Sequence, residues 1–134
     1  MVAAYRTQVA MIHLDANFLI RGMVPETPQA VRLREWLASG EAVGMSTVAW
    51  AEFLCGPVAE PILERAARIV AERVPLLEED AGVAAKLFNA SGRRCRSLAD
   101  CLIAATALRF TVPLATTNVS DFRRFEKMGL RLAL

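Results

Sequence analysis

Lysine is nearly missing from this chain, with two residues, and there is one histidine, one tyrosine and four aspartates among 134 residues. Each scarcity removes a class of function. A lone histidine, His13, in an apolar stretch and without a partner motif, reads as a core residue rather than a general base. The three cysteines, Cys55, Cys95 and Cys101, are odd in number and contain no Cys-x-x-Cys pair, so neither a disulfide framework nor a zinc site is suggested. They read as reduced, structural thiols, which points to the cytoplasm. No glycine-rich phosphate loop occurs, which disfavours a nucleotide-binding enzyme. The most apolar helical stretch, Leu102–Leu108, is far short of the ~20 residues of a membrane span. The first ten residues carry Arg6 and Gln8 and lack the apolar core of a secretory signal.

What remains is an apolar chain. Hydrophobic residues make up 54% and the mean hydropathy is +0.33. The length fits one domain, for which ~100–200 residues is usual, with a core of its own. Residues 1–8 read as a leader and 9–134 as the domain, with Met11 as a second possible start. Strand and helix patterns then alternate. Strands are expected at Val9–Leu14, Ala42–Met45, Val74–Leu77, Pro113–Thr116 and Leu130–Leu134. A short helix is expected to follow Asp15 through Ile20. Thr27 with Pro28 opens a helix to Ser39, Ser46 or Thr47 opens one through Cys55, and Pro61 opens another that includes Val70. Asp80–Ala90, Leu98–Phe110 (capped by Ser97) and Ser120–Lys127 complete the set. Glu60, Glu64, Arg68 and Glu72 follow at successive i,i+4 positions, the pattern of a solvated face. Short apolar strands between helices imply an α/β fold, a parallel sheet covered on both faces. Ligands of such sheets bind beyond the carboxyl ends of the strands.

Four acids are candidates for that edge. Asp15 ends the first strand, and it could also simply cap the helix that follows. Glu52 lies among apolar neighbours in Thr47–Leu54, at a wet edge or buried with a partner. Asp100 leads an almost wholly apolar helix, where the helix dipole alone would favour an anion. Asp121 follows Thr116-Thr117-Asn118-Val119-Ser120 and could cap a short helix. Taken together, four carboxylates near one edge would repel and take up protons unless a cation intervened. Mg²⁺ is the hard cation that oxygen ligands and water suit, and it activates water for attack on phosphate. Thr116 and Asn118 could add neutral oxygens. Setting these four acids aside leaves 16 basic against ten acidic side chains, a balance of +6 that suits a nucleic acid. Arg93, Arg94 and Arg96 precede the Asp100 helix, and Arg123, Arg124 and Lys127 follow Asp121; both clusters are candidate RNA-backbone contacts or ordinary solvated side chains. Trp36 and Trp50 fit helix packing better than base stacking. A phosphoryl-accepting receiver domain also gathers acids at strand ends, but it needs a lysine on a late strand, and Lys86 and Lys127 both fall on expected helices.

In this order, Leu14-Asp15-Ala16-Asn17, Ala51-Glu52-Phe53, Asp100-Cys101-Leu102-Ile103-Ala104-Ala105-Thr106-Ala107 and Thr117-Asn118-Val119-Ser120-Asp121-Phe122 resemble the PIN-domain family over nearly the whole chain after Val9. The length and the Asp100 helix most resemble VapC-type toxins. The resemblance implies a three-layer α/β/α sandwich with a central, mostly parallel sheet. It implies a metal-dependent endoribonuclease that cuts tRNA or rRNA to leave a 5′-phosphate and a 3′-hydroxyl. Asp15, Glu52, Asp100 and Asp121 match the family's acidic positions. Asp15, Asp100 and Asp121 would hold Mg²⁺ (or Mn²⁺), and Glu52 would bind the metal or position the attacking water. Asn118, Thr116, Arg93, Arg94 and Arg96 are then substrate-binding candidates. A homodimer and a cognate antitoxin are the implied partners, with DNA reached only through the antitoxin. Phe53–Cys55 and the Val31–Leu37 helix could face either partner or simply the core. The alternative is a non-catalytic PIN-like module that binds nucleic acid or protein.

Overall fold

The first strand is apolar on both sides: Ile12 and Leu14 point one way, His13 the other, and all three are buried. A strand buried on both faces needs cover on both. That requirement organises the computed structural model, which describes residues 11–92 and 98–134. The expected leader, Val9 and Ala10 of the first strand, Cys95, Ser97 and the cluster Arg93, Arg94 and Arg96 all lie outside the described residues.

In chain order the elements are β1 (Met11–Leu14), α1 (Ala16–Gly22), α2 (Pro28–Ala38), β2 (Ala42–Ser46), α3 (Thr47–Cys55), α4 (Glu60–Ile69), β3 (Val70–Val74), α5 (Glu78–Ala90), α6 (Leu98–Phe110), β4 (Leu114–Ala115) and α7 (Val119–Arg123), followed by a 3₁₀ turn at Glu126–Met128. Among the described residues these four strands form one sheet in the order β3-β2-β1-β4, parallel at every pairing. With helices on its faces this is the expected three-layer α/β/α architecture. Among the described residues no helix is long and apolar enough to cross a membrane.

Capping explains several boundaries. The Asp15 carboxylate accepts from the Phe18 N–H at 2.8 Å and opens α1, the usual service of an aspartate at a helix start. The Thr27 hydroxyl accepts from Ala30 N–H at 3.0 Å ahead of Pro28, and the Ser46 hydroxyl accepts from Ala49 N–H at 3.1 Å. The core joins Leu14, Met45 and Leu114 of the strands to Leu19, Phe53, Ile103 and Phe122 of the helices. Trp36 stacks on Phe18 with ring centroids 5.6 Å apart, and Trp50 packs on Phe53 at 5.3 Å. Both tryptophans therefore serve helix packing.

Three expectations need correction. The third strand is Val70–Val74, four residues ahead of the expected Val74–Leu77, because α4 ends at Ile69 and Val70 already pairs with Val43. Glu72 therefore leaves the helical face that Glu60, Glu64 and Arg68 share. The final strand at Leu130–Leu134 is reduced to one parallel bridge, Leu114↔Leu132. The expected helix Ser120–Lys127 is split into α7 and the 3₁₀ turn, which Gly129 closes at a φ of 102°, a conformation that favours glycine.

Candidate metal centre and its surroundings

The C-terminal edge of the sheet is where the chain delivers its polar chemistry. β1 and β4 run side by side with Leu14 opposite Ala115, so Asp15 and Thr116 leave the sheet together. The Asp15 N–H donates to the Ala115 carbonyl at 3.0 Å. One Asp15 carboxylate oxygen caps α1, and the other accepts a hydrogen bond from the Thr116 hydroxyl. The Thr116 Oγ1 in turn accepts from the Asn118 N–H at 2.9 Å. Asp15 is thus fixed on both oxygens, and Thr116 is buried at its side rather than presented to solvent.

Glu52 comes from α3, which starts as β2 ends, and Asp100 from the first turn of α6. Asp121 lies in α7, just past β4, with Arg124 Nη2 4.0 Å from its Oδ1. The four acids act on one another. Burial pushes the Asp15 carboxyl up to about 6; the Thr116 and Phe18 hydrogen bonds oppose the rise and the Asp100 charge adds to it. Burial, then the charges of Asp100 and Asp15, raises Glu52, although its side chain reaches solvent. Burial, then Asp121, raises Asp100, with Arg124 pulling the other way. Asp100 thus bears on both Asp15 and Glu52, and Asp121 bears on Asp100.

That site fits a hard divalent cation of one kind. Carboxylates that hold one another's protons on are relieved by a cation between them. Among the described residues, however, no three His, Cys, Asp or Glu side chains stand close enough to enclose a metal unaided. The donor set suits an ion bound through one or two carboxylates with water in its remaining positions, the habit of Mg²⁺.

The remaining candidates divide. Asn118 is exposed at the start of α7, next to the acids in the fold, and its side chain makes no capping bond. The Arg93, Arg94 and Arg96 cluster is outside the described residues. His13 is buried as expected, against Phe110 at 5.9 Å, but its Nε2 has no hydrogen-bond partner among the described residues. Burial, and then Arg109, lowers its pKa to about 4. It faces α6 and takes no part at the acidic edge.

Two hollows flank the sheet. The larger, about 1030 Å³, opens at the amino ends of the strands, away from the acids, between Met11, Ala42, Ala71 and Pro113. The smaller, about 500 Å³, adjoins the acids and is walled by Asn17, Arg21, Gln29, Thr116 and Thr117 with Ile20 and Val119. Apart from Thr116, none of these was a site candidate in the sequence. Asn17, Thr117 and Val119 stand in the motifs that carry the resemblance, and the i,i+4 spacing of Asn17 and Arg21 puts both on one stripe of a helix.

Comparison with known proteins agrees with the fold. The family model of the PIN domain matches residues 12–128. No curated protein sequence matches the chain. Among solved structures, VapBC2 from Rickettsia felis bound to a DNA fragment from its promoter superposes with a TM-score of 0.74 at 17% identity, covering 92% of this chain and 97% of that one. FitAcB from Neisseria gonorrhoeae gives 0.70 at 22% identity, covering 92% and 97%. VapBC-1 from nontypeable Haemophilus influenzae gives 0.70 at 21%, covering 92% and 96%.

Proposed function

The chain belongs to the PIN-domain family, and from that premise we propose that it is a metal-dependent endoribonuclease acting as the toxin of a toxin–antitoxin pair. The observation that carries the reading is the placement of Asp15, held by Thr116 where β1 and β4 end, with Asp100 near enough to bear on it and on Glu52, and Asp121 just past β4. The likeness to structures described as VapBC and toxin–antitoxin complexes supports the toxin assignment.

Asp15, Asp100 and Asp121 are the residues that would hold Mg²⁺ or Mn²⁺, one or two of them directly and the rest through water. The ion would supply positive charge against the developing phosphate oxyanion and lower the pKa of a bound water. Thr116 keeps Asp15 in place, and the α1 cap fixes the other oxygen, so the carboxylate is oriented before substrate arrives. Glu52, with its raised pKa and access to solvent, takes the proton of the attacking water. Hydrolysis leaves a 5′-phosphate and a 3′-hydroxyl on a tRNA or rRNA substrate. Arg123, Arg124 and Lys127, near Asp121, and Arg93, Arg94 and Arg96 contact the RNA backbone, and Asn118 lies on its path. The protein works in the cytoplasm as a homodimer, and its antitoxin supplies any contact with DNA. Exposed apolar side chains on and between the helices, Val24, Leu54 and Ile62 among them, are available to those partners.

The test is cleavage of total cellular RNA by purified, antitoxin-free protein, in Mg²⁺, Mn²⁺ or EDTA, beside Asp15→Asn. Discrete 5′-phosphate ends that require metal and vanish in the variant are expected. A folded, inhibitor-free protein that cuts nothing under any metal would instead be a non-catalytic binding module.

A further inference from the structure

We infer that the hollow beside Asp15 is a nucleotide subsite, in which Arg21 holds a phosphate and the amides of Gln29 and Asn17 read the edge of one base of a single-stranded RNA. The inference rests on the ribonuclease reading of the adjacent acids and names what lies next to the cleaved bond.

The first support is position. Thr116 forms the wall between the hollow and the acids, with its hydroxyl bonded to Asp15. A strand whose phosphate reaches Asp15 must place a neighbouring nucleotide on one side of it. The hollow measures about 500 Å³. Its size is that of an ordinary small-ligand pocket.

The second support is chemistry. The described lining contains no carboxylate, so an anion entering the hollow meets only Arg21 and neutral groups. Asn17, Ile20 and Arg21 stand on one stripe of α1, which provides an amide, an apolar contact and a cation together. Gln29 faces them from the first turn of α2. Its Oε1 is buried and accepts no hydrogen bond among the described residues. Buried acceptors are normally satisfied. With no such bond to hold it, turning this oxygen to a ligand breaks nothing. Amide side chains pair with base edges through one donor and one acceptor, and single-stranded bases are read in that way.

The third support is that the fold holds the two walls together. A Cβ at Gly22 would collide with Leu33 Cδ1 and lie 3.8 Å from the Gln29 carbonyl oxygen. Leu33 of α2 thus packs directly onto the α1 backbone at Gly22, next to the turn that carries Arg21.

The experiment uses the full chain carrying Asp100→Asn, so that RNA is bound and not cut. It is titrated in Mg²⁺ with three pentaribonucleotides, all-A, all-C and all-U, while the side-chain NH₂ signals of Asn17 and Gln29 are followed by NMR. Both signals should move, and affinity should differ among the three by roughly 5- to 100-fold, the range of amide–base discrimination. Adding Gln29→Leu should bring the three within about twofold, whereas Arg21→Gln should weaken all three alike and lower the salt slope by about 1. Binding that leaves both amide signals still, or a base preference untouched by Gln29→Leu, overturns the subsite, as does an absence of binding. RNA cleavage by the otherwise unmodified chain, lost on Asp100→Asn, reports separately on the catalytic reading. Cleavage without the amide shifts removes the subsite alone.

Discussion

Asp15 and His13 sit two residues apart, at the end of β1 and within it; both are buried, and burial moves them in opposite directions. Asp15 binds its proton more tightly in the folded chain, with a pKa of about 6 against an ordinary 3.8. Its stabilising contribution is fully present below 3.8 and is lost as pH rises through 6, a difference of about 3 kcal/mol. Glu52 and Asp100 act in the same direction. His13 is favoured as the neutral ring, so its contribution is present above 6.5 and is lost as pH falls through about 4. In metal-free protein, Asp15→Asn should therefore be as stable as the parent near pH 4 and more stable by roughly 1–3 kcal/mol at pH 7. Urea unfolding in EDTA at the two pH values measures this. Equal stabilities at pH 7 would show that Asp15 carries no such strain. These acids were legible in the sequence because each is a carboxylate set against apolar neighbours at a strand end or on a helix. Asn17, Arg21 and Gln29 were not: singly they are ordinary helix residues, and only the packing of α1 on α2 makes a wall of them.

At the scale of elements, the fourth aspartate shows how a buried carboxylate can be purely structural. Asp80 is 1% exposed, receives Arg109 of α6 at 2.9 Å and 3.1 Å, and accepts from the Leu77 N–H at 2.9 Å ahead of α5. Arg109 also donates to the Pro75 carbonyl at 3.0 Å, so one guanidinium ties α6 to the start of α5 and to the end of β3. Asp80→Ala leaves that cation without its partner and α5 without its cap, and should cost roughly 3–5 kcal/mol. With Arg109→Met added, the double variant should lose clearly less than the sum of the singles, as read by thermal or urea unfolding. Additive losses would mean that the pair is not coupled. The strand just before it explains the main misreading of the sequence. Val70–Val74 carries Ala71, Glu72 and Arg73 exposed between two buried valines, because β3 is an edge strand. Its polar middle hid it, and Val70 continued the helical spacing of Ile62, Ala66 and Ile69. The sheet order followed from no local pattern; it depends on which strands the crossovers bring together.

For the whole molecule the decisive quantity is where its charge lies. A net +2 conceals an acidic edge with a basic remainder. The acidic edge opposes folding at neutral pH, since three of its carboxylates are more easily ionised in the unfolded chain. A cation that binds only the folded edge should therefore stabilise the entire domain by mass action. For an ion held at about 1 mM and supplied at about 10 mM, the gain is roughly 1.4 kcal/mol. In a chain of this size that corresponds to a rise in Tm of about 5 °C. The same rise should be absent in Asp100→Asn, and K⁺ at equal ionic strength should not reproduce it, because screening acts on all surface charge rather than on the site. Scanning calorimetry of the two proteins in EDTA, K⁺ and Mg²⁺ makes the comparison without any RNA. An equal rise in both proteins would place the ion elsewhere. No rise in the parent would mean that the four acids tolerate one another without a metal, and the hydrolytic reading of the site would lose its physical basis.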